Sequence, residues 1–255
     1  MAWIIGLIAV VIWTIWAAQK PVLEYFGKTW DPQALGLWGD SFGALNALVA
    51  AVGFVMVVAS LRLQRQQNRA AQEDQHRQRF DTSYFELLHL VRATRDETRF
   101  RYSDEYILHH NPTAKNTLRT GLDAFRFAWR EAIAWLGGRD SNLTPEEAGA
   151  LYEKHIHKRY ESRFGPYFRL IYTILDRVKS DPLLTGPERH RYGNLLRSQL
   201  TSYEIALLGL NGLSPVSKDL KDLIVEFHLL KYLPAGTRRE TLEKFYPPEA
   251  FVGRD

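Results

Sequence analysis

The sequence has no cysteine. That rules out disulfides, thiolate nucleophiles and Cys-ligated metals, and it suits a domain kept in a reducing compartment. Common signatures of nucleotide, acyl and zinc chemistry are also missing: there is no Gly-rich phosphate loop, no nucleophile elbow and no HExxH helix. No His has an Arg four to six residues before it, the spacing that some helical RNases use. Strand-length alternation between turn signals is absent, as are internal repeats. Charge of one sign is scarce too, since 33 Lys and Arg face 29 Asp and Glu for a net charge of +4. Much of that excess sits beside an apolar run, where a membrane surface accounts for it as well as nucleic acid would.

What the sequence does have is a sharp change of solvent preference. Residues 43–61, GALNALVAAVGFVMVVASL, are apolar, and they pass directly into RLQRQQNRAAQEDQHRQRF at 62–80. Neither Pro nor Gly interrupts the junction, and Leu, Ala, Gln and Arg all favour helix, so one continuous helix leaving a bilayer is expected. Its exit side carries Arg62, Arg65, Arg69, Arg77 and Arg79 against Glu73 and Asp74. The segment before it, residues 19–42, carries Lys20 and Lys28 against Glu24, Asp31 and Asp40. The positive flank marks the cytoplasmic side. Arg62, Arg65 and Arg69 would meet anionic headgroups there, each contributing on the order of 1 kcal/mol.

Residues 2–18, AWIIGLIAVVIWTIWAA, carry no charge and would reach roughly 25 Å as a helix, slightly short of a hydrocarbon core. Trp13, Trp16 and Lys20 suit an interface. With no Lys or Arg before the run and no small-x-small site after it, a retained helix is favoured over a cleaved signal peptide. The two spans then form a hairpin with both chain ends in the cytoplasm. Residues 19–42, rich in Pro, Gly and aromatics, read as a short interfacial loop, with Asp40 and Ser41 capping the second span. Gly43, Ala47, Ala50, Ala51 and Gly53 recur near one side of that span, which suits close helix approach to the first span or to a second copy, and Asn46 should seek a partner there.

About 190 residues remain for one soluble domain. The chain is read as a hairpin over 1–63, a basic juxtamembrane linker helix over 64–100 and a cytosolic helical domain over 101–255. Phe80, Tyr84, Leu87, Leu88 and Val91 form an amphipathic face that continues the membrane helix and docks it onto the domain. A turn is expected near Asn111 and Pro112, then a helix over 114–136 with Leu122, Phe125, Trp129, Ile133 and Leu136 on one stripe. Thr144-Pro145-Glu146-Glu147 is a capping box opening a helix to about Arg163. Gly165-Pro166 is expected to begin another that stops at Asp181-Pro182. Thr185-Gly186-Pro187-Glu188 should open one long helix to Asn211-Gly212. A last helix is expected over 217–232, followed by a charged tail with one turn near Leu242. The fold class is all-α: a transmembrane hairpin, a linker helix and a cytosolic bundle.

The polar residues worth singling out lie near Arg197. Glu204 sits inside the apolar run from Tyr203 to Leu210, beside Arg197, Thr201 and Asn211 on one face. A carboxylate there should be buried, and a buried charge needs a partner. Arg197 and Arg169 are the candidates, and a structural ion pair is favoured over a catalytic role. The candidate polar cluster is thus Arg169, Arg197, Gln199, Ser202, Glu204 and Asn211. His155 and His157 point to different helix faces and His109-His110 are adjacent in a turn, so surface histidines are expected and no metal site.

Several blocks together resemble one family. They are Gly39-Asp40-Ser41-Phe42-Gly43 with Asn46, Phe80-Asp81-Thr82-Ser83-Tyr84-Phe85-Glu86-Leu87-Leu88, Tyr167-Phe168-Arg169 with Tyr172 and Leu175, and Arg197-Ser198-Gln199-Leu200-Thr201-Ser202-Tyr203-Glu204 followed by Asn211-Gly212-Leu213. In order and spacing these resemble the phage abortive-infection (AbiC-like) proteins. The match is less clear over residues 104–151. The resemblance implies an antiphage protein of the bacterial inner membrane, and it leaves the biochemical activity open. The preferred expectation is a non-enzymatic module with no cofactor, whose helical domain senses a phage-derived trigger and signals to the lipid bilayer, with copies associating through the membrane and linker helices. Nucleic acid is not expected as a partner. The alternative is a membrane-tethered hydrolase that uses Arg197, Glu204 and Arg169 on RNA or a nucleotide.

Overall fold

The structure is a computed structural model that describes residues 11, 12, 14, 15, 32–113, 115–137 and 142–252, without the side chains of residues 32–42, 44 and 45. The chain divides into two units, Met1–Gln72 and Glu73–Asp255. Val11, Ile12, Thr14 and Ile15 are helical. The rest of the first apolar segment, with Trp13, Trp16 and Lys20, and the chain to residue 31 lie outside the described residues, so the expected hairpin does too.

Helix α1 runs from Pro32 to Glu97 as one element. It therefore begins within the stretch read as a loop, and Asp40 and Ser41 lie inside it instead of capping a later start. Pro32 is the first helical residue, where its missing N–H costs nothing. Among the described residues, the part of α1 from Asn46 onward is the one helix long and apolar enough to cross a membrane, with a mean hydropathy of 2.0 in its most apolar window and none of that window buried. Leu48, Val49, Phe54, Val55, Met56, Val57, Leu61 and Leu63 are all exposed. Further along the same helix, Phe80, Tyr84, Leu88 and Val91 are buried at the expected spacing.

The C-terminal unit is all-α apart from a two-residue antiparallel ladder, in which β1 (Arg99–Phe100) pairs with β2 (Arg119–Thr120). Helix α2 spans Asp104–His110 and is capped by Ser103, whose hydroxyl accepts from the Tyr106 N–H at 3.0 Å. Helix α3 is Leu122–Trp135, starting later than expected because Gly121, at φ 57°, and the ladder hold the preceding residues extended. Phe125, Trp129 and Leu136 of its predicted stripe are buried, whereas Leu122 is exposed. The expected box opens α4 (Pro145–Tyr152): Thr144 Oγ1 accepts from Glu147 N at 3.2 Å and Glu147 Oε2 accepts from Thr144 N at 2.8 Å.

Beyond Tyr152 the chain widens into a π-helical turn, Glu153–His157, and then into α5, Lys158–Ser180. The break falls at Tyr160, whose φ of −127° leaves the helical region, and Gly165 and Pro166 lie inside α5 instead of starting it. Pro166 has no N–H to give the Ser162 carbonyl, so α5 lacks one helical bond there. Capped by Thr185 and Glu188, α6 spans Gly186–Arg197. The long helix expected here is two helices, because residues 198–201 turn and α7 restarts at Ser202–Asn211. After a 3₁₀ turn at Pro215–Ser217, α8 runs over Lys218–Glu226, shorter than expected since the chain turns at His228, where φ is +49°. Helix α9 is Thr237–Leu242, the turn expected in the tail.

Docking of α1 onto this unit is aromatic. The Tyr84 hydroxyl donates to the Tyr192 carbonyl at 2.6 Å, the Phe80 and Tyr84 rings lie 5.0 and 4.9 Å from that of Tyr192, and the Tyr192 hydroxyl reaches Asp81. Burial, and then the Asp81 carboxylate, push the Tyr192 phenol up to about 12, so it stays a donor at any physiological pH.

Candidate functional site

Glu204 is fully buried, as its sequence setting implied, but its partners are not the expected arginines. It is the third helical residue of α7, and its Oε2 accepts from Thr201 N at 2.7 Å and from Thr201 Oγ1 at 2.6 Å. Its Oε1 accepts from the buried Tyr167 hydroxyl at 2.6 Å, and Arg95, in the last turn of α1, is 3.9 Å away. Burial raises the Tyr167 phenol far above its ordinary value, and the adjacent Glu204 carboxylate pushes the same way. The Thr-x-x-Glu pattern that caps α7 was visible in the sequence, but the apolar run after it reads as the middle of a longer helix.

Arg197 is buried elsewhere. Its guanidinium donates to the His228 carbonyl and to Asn194 Oδ1, both at 2.9 Å, and stands 4.5 Å from the Tyr232 ring. This clamp holds the turn after α8 against the end of α6 and supplies a donor to a carbonyl that the positive φ of His228 leaves outside any helix. Gln199 accepts from Arg92 of α1, and Arg95 reaches the Gln199 carbonyl at 3.5 Å. Ser202 is half-buried at the start of α7. Arg197, Gln199, Ser202 and Glu204 therefore belong to the packing of the turns between α6, α7 and α8, with contacts from α1.

The remaining two candidates, Arg169 and Asn211, line a cleft of about 480 Å³ together with His157, Glu161, Phe168, Tyr172, Ser217, Lys218 and Asp219. Three elements build it. The π-helical turn delivers His157, α5 delivers Glu161, Phe168, Arg169 and Tyr172, and the segment from the end of α7 to the start of α8 delivers the rest. Wide π turns of this kind often stand at functional sites. Arg169 donates to Glu161, eight residues earlier, at 2.7 Å, with both side chains largely in solvent. Asn211 is 2% exposed, its amide nitrogen donates to Ser217 Oγ at 3.3 Å, and its Oδ1 has no partner. His157 Nδ1 is likewise buried without one. An unsatisfied buried polar group costs about 1–3 kcal/mol, so two beside one cleft are unusual. Sequence reasoning missed His157, Ser217 and Lys218, for which neither periodicity nor a motif gives a signal. It also took His155 for a surface residue, whereas the ring is buried and stacked on Trp135 at 4.0 Å. Burial, then the nearby Lys154, lowers its pKa. His109 and His110 end α2 and are exposed. Among the described residues no group of His, Asp and Glu is arranged to hold a metal ion.

No curated protein and no solved structure matches the chain. A family model does: putAbiC, described as "Putative phage abortive infection protein", matches residues 159–237. That segment holds nearly all of α5 to α8, the Glu204 network apart from Arg95, the Arg197 clamp and every cleft residue except His157. Residues 159–237, which supply every cleft residue but His157, are thus similar to the phage abortive infection proteins that this family model describes.

Proposed function

We propose that this protein is a membrane-anchored antiphage protein of the bacterial inner membrane, in which the C-terminal helical unit binds a phage-derived trigger and α1 carries the signal to the bilayer. The observation that carries the reading is the double character of α1. Its apolar stretch exposes nine large side chains from Leu48 to Leu63, while its later turns are buried in the C-terminal core. Each such side chain would gain roughly 1.5–3 kcal/mol on leaving water, so a bilayer or another apolar surface is expected around them. In this reading residues 2–18 form the second leg of a hairpin, both chain ends are cytoplasmic, and Arg62, Arg65 and Arg69 lie among the headgroups. Copies associate through the membrane and linker helices. Gly43 and Gly53 have open space around them, which leaves room for a neighbouring helix.

Helix α7 links the two tasks. Glu204 near its start lies beside Arg95 of α1, and Asn211 at its end lies in the cleft. A trigger that moves α7 therefore changes a contact to the helix that bears the membrane stretch. The test is a phage challenge of cells making the full chain or the Arg62→Glu/Arg65→Glu/Arg69→Glu variant, with plaque counts set beside membrane potential. The wild type should cut plaque numbers and depolarise infected cells, and the variant should lose both at equal protein level. Protection that survives the charge reversal with no loss of membrane potential would overturn the reading.

A further inference from the structure

The cleft bears polar groups that neither the packing of the helices nor the membrane reading uses. We propose that it binds a small organic phosphate that also carries hydroxyl or amino donors, of the size of a mononucleotide or a sugar phosphate. This assignment stands whether or not the chain crosses a bilayer.

Four features carry it. The cleft, at about 480 Å³, falls within the range of small-molecule sites. One wall is the N-terminus of the nine-residue helix α8, which follows the 3₁₀ turn Pro215–Ser217 and which no side chain caps, so the positive end of a helix dipole stands beside Lys218. Arg169 enters from α5, tied to Glu161 in an exposed pair that costs little to exchange for a phosphate. The fourth feature is Asn211, almost wholly buried and lacking a partner for one of its two amide atoms. The assignment of oxygen and nitrogen does not matter here, since turning the amide over would leave the other atom without a partner.

The balance of charge narrows the ligand further. Arg169 and Lys218 are offset by Glu161 and Asp219 in the same lining. A strand of nucleic acid would bring successive phosphates against those carboxylates, and inorganic phosphate alone is too small to reach the cations and both carboxylates at once. A nucleotide or sugar phosphate offers both: the phosphate to Arg169, Lys218 and the α8 terminus, and hydroxyl or amino groups to Glu161, Asp219 and Asn211. The Phe168 and Tyr172 side chains supply the apolar lining that a ring would use.

The experiment is calorimetric titration and thermal melting of the full chain in detergent micelles with the four nucleoside monophosphates, ribose 5-phosphate, adenosine and inorganic phosphate. At least one organic phosphate should bind saturably and raise the melting temperature, with adenosine and inorganic phosphate each weaker by about tenfold or more. Comparable binding of ribose 5-phosphate and the nucleotides would place the recognition in the sugar phosphate, and preference for a nucleotide would place it in the base as well. Arg169→Ala, at an exposed position, should weaken binding by about tenfold while leaving the unliganded melt unchanged. Asn211→Leu should weaken it similarly, with Asn211→Ser as the milder substitute if the leucine variant does not fold. The proposal is overturned if no organic phosphate binds, if adenosine binds as well as its monophosphate, or if Arg169→Ala binds as the wild type does.

Discussion

Replacing Glu204 probes the link between α1 and the helical unit most sharply. In Glu204→Ala the Thr201 N–H and hydroxyl lose their acceptor, the buried Tyr167 hydroxyl loses its own, and Arg95 loses a charge 3.9 Å away. Loss of the cap costs about 1 kcal/mol, and stranding the tyrosine hydroxyl costs about 1–3 kcal/mol more. With the counter-charge gone as well, the total comes to about 3–5 kcal/mol. For a unit of this size that lowers the melting temperature by roughly 6–20 °C. Glu204→Gln keeps the shape and one acceptor and should fall between the two. The assay is urea and thermal unfolding of the full chain in detergent, followed by tryptophan fluorescence. A double-mutant cycle sharpens it. Glu204→Gln should couple to Tyr167→Phe, but not to Arg197→Met, for which the singles should add to within about 0.5 kcal/mol. An alanine variant less than 1 kcal/mol below wild type, or strong coupling to Arg197, would refute the assignment of partners.

Other expectations follow from close contacts and from a buried imidazole. A Cβ added at Gly149 would lie 2.1 Å from the Leu213 carbonyl oxygen, which is backbone and cannot step aside. Gly149→Ala should therefore destabilise by about 1–3 kcal/mol in urea titration, although alanine is the better helix former. His155 is buried against Trp135, and its pKa is lowered from an ordinary 6.5. Its neutral form is the one the fold favours, so its contribution is complete above about pH 6.5 and declines as the pH falls through the lowered value. Lys154, Glu105, Glu131 and Arg159 also act on the ring, and burial outweighs them. His155→Phe should keep the stacking and flatten the loss of stability as the pH falls below about 6.5, and an unchanged slope would remove His155 as its source.

Much of this fold was legible because local signals agreed with the packing. The boxes at Thr144 and Thr185 sit where polar loops meet apolar runs, and the spacing of Phe80, Tyr84, Leu88 and Val91 has no competitor. The third box, at Thr201, was masked by the apolar run from Ile205 to Leu210 that follows it. Glu204 was read as a charge needing an arginine because its role as a cap depends on a break that periodicity does not announce. Gly165-Pro166 gave the opposite error, a strong start signal beside a break set by the widened turn at 153–157. Of the candidate residues, the sequence brought out Arg169 and Asn211 without indicating that they share a cleft. That juxtaposition depends on how α5, α7 and α8 meet, and no single stretch encodes it.

The central claim is that one helix carries both a bilayer segment and a face of the helical unit's core. Because the sequence has no cysteine, single substitutions report without background. The direct measurement is maleimide labelling of Lys28→Cys, Val55→Cys, Arg69→Cys and Val252→Cys in bacterial spheroplasts, before and after permeabilisation and after detergent. The account predicts that Lys28→Cys reacts from outside and that Arg69→Cys and Val252→Cys react only after permeabilisation. Val55→Cys should stay protected until detergent is added. Labelling of Val252→Cys from outside, or free reaction of Val55→Cys in the absence of detergent, would contradict it.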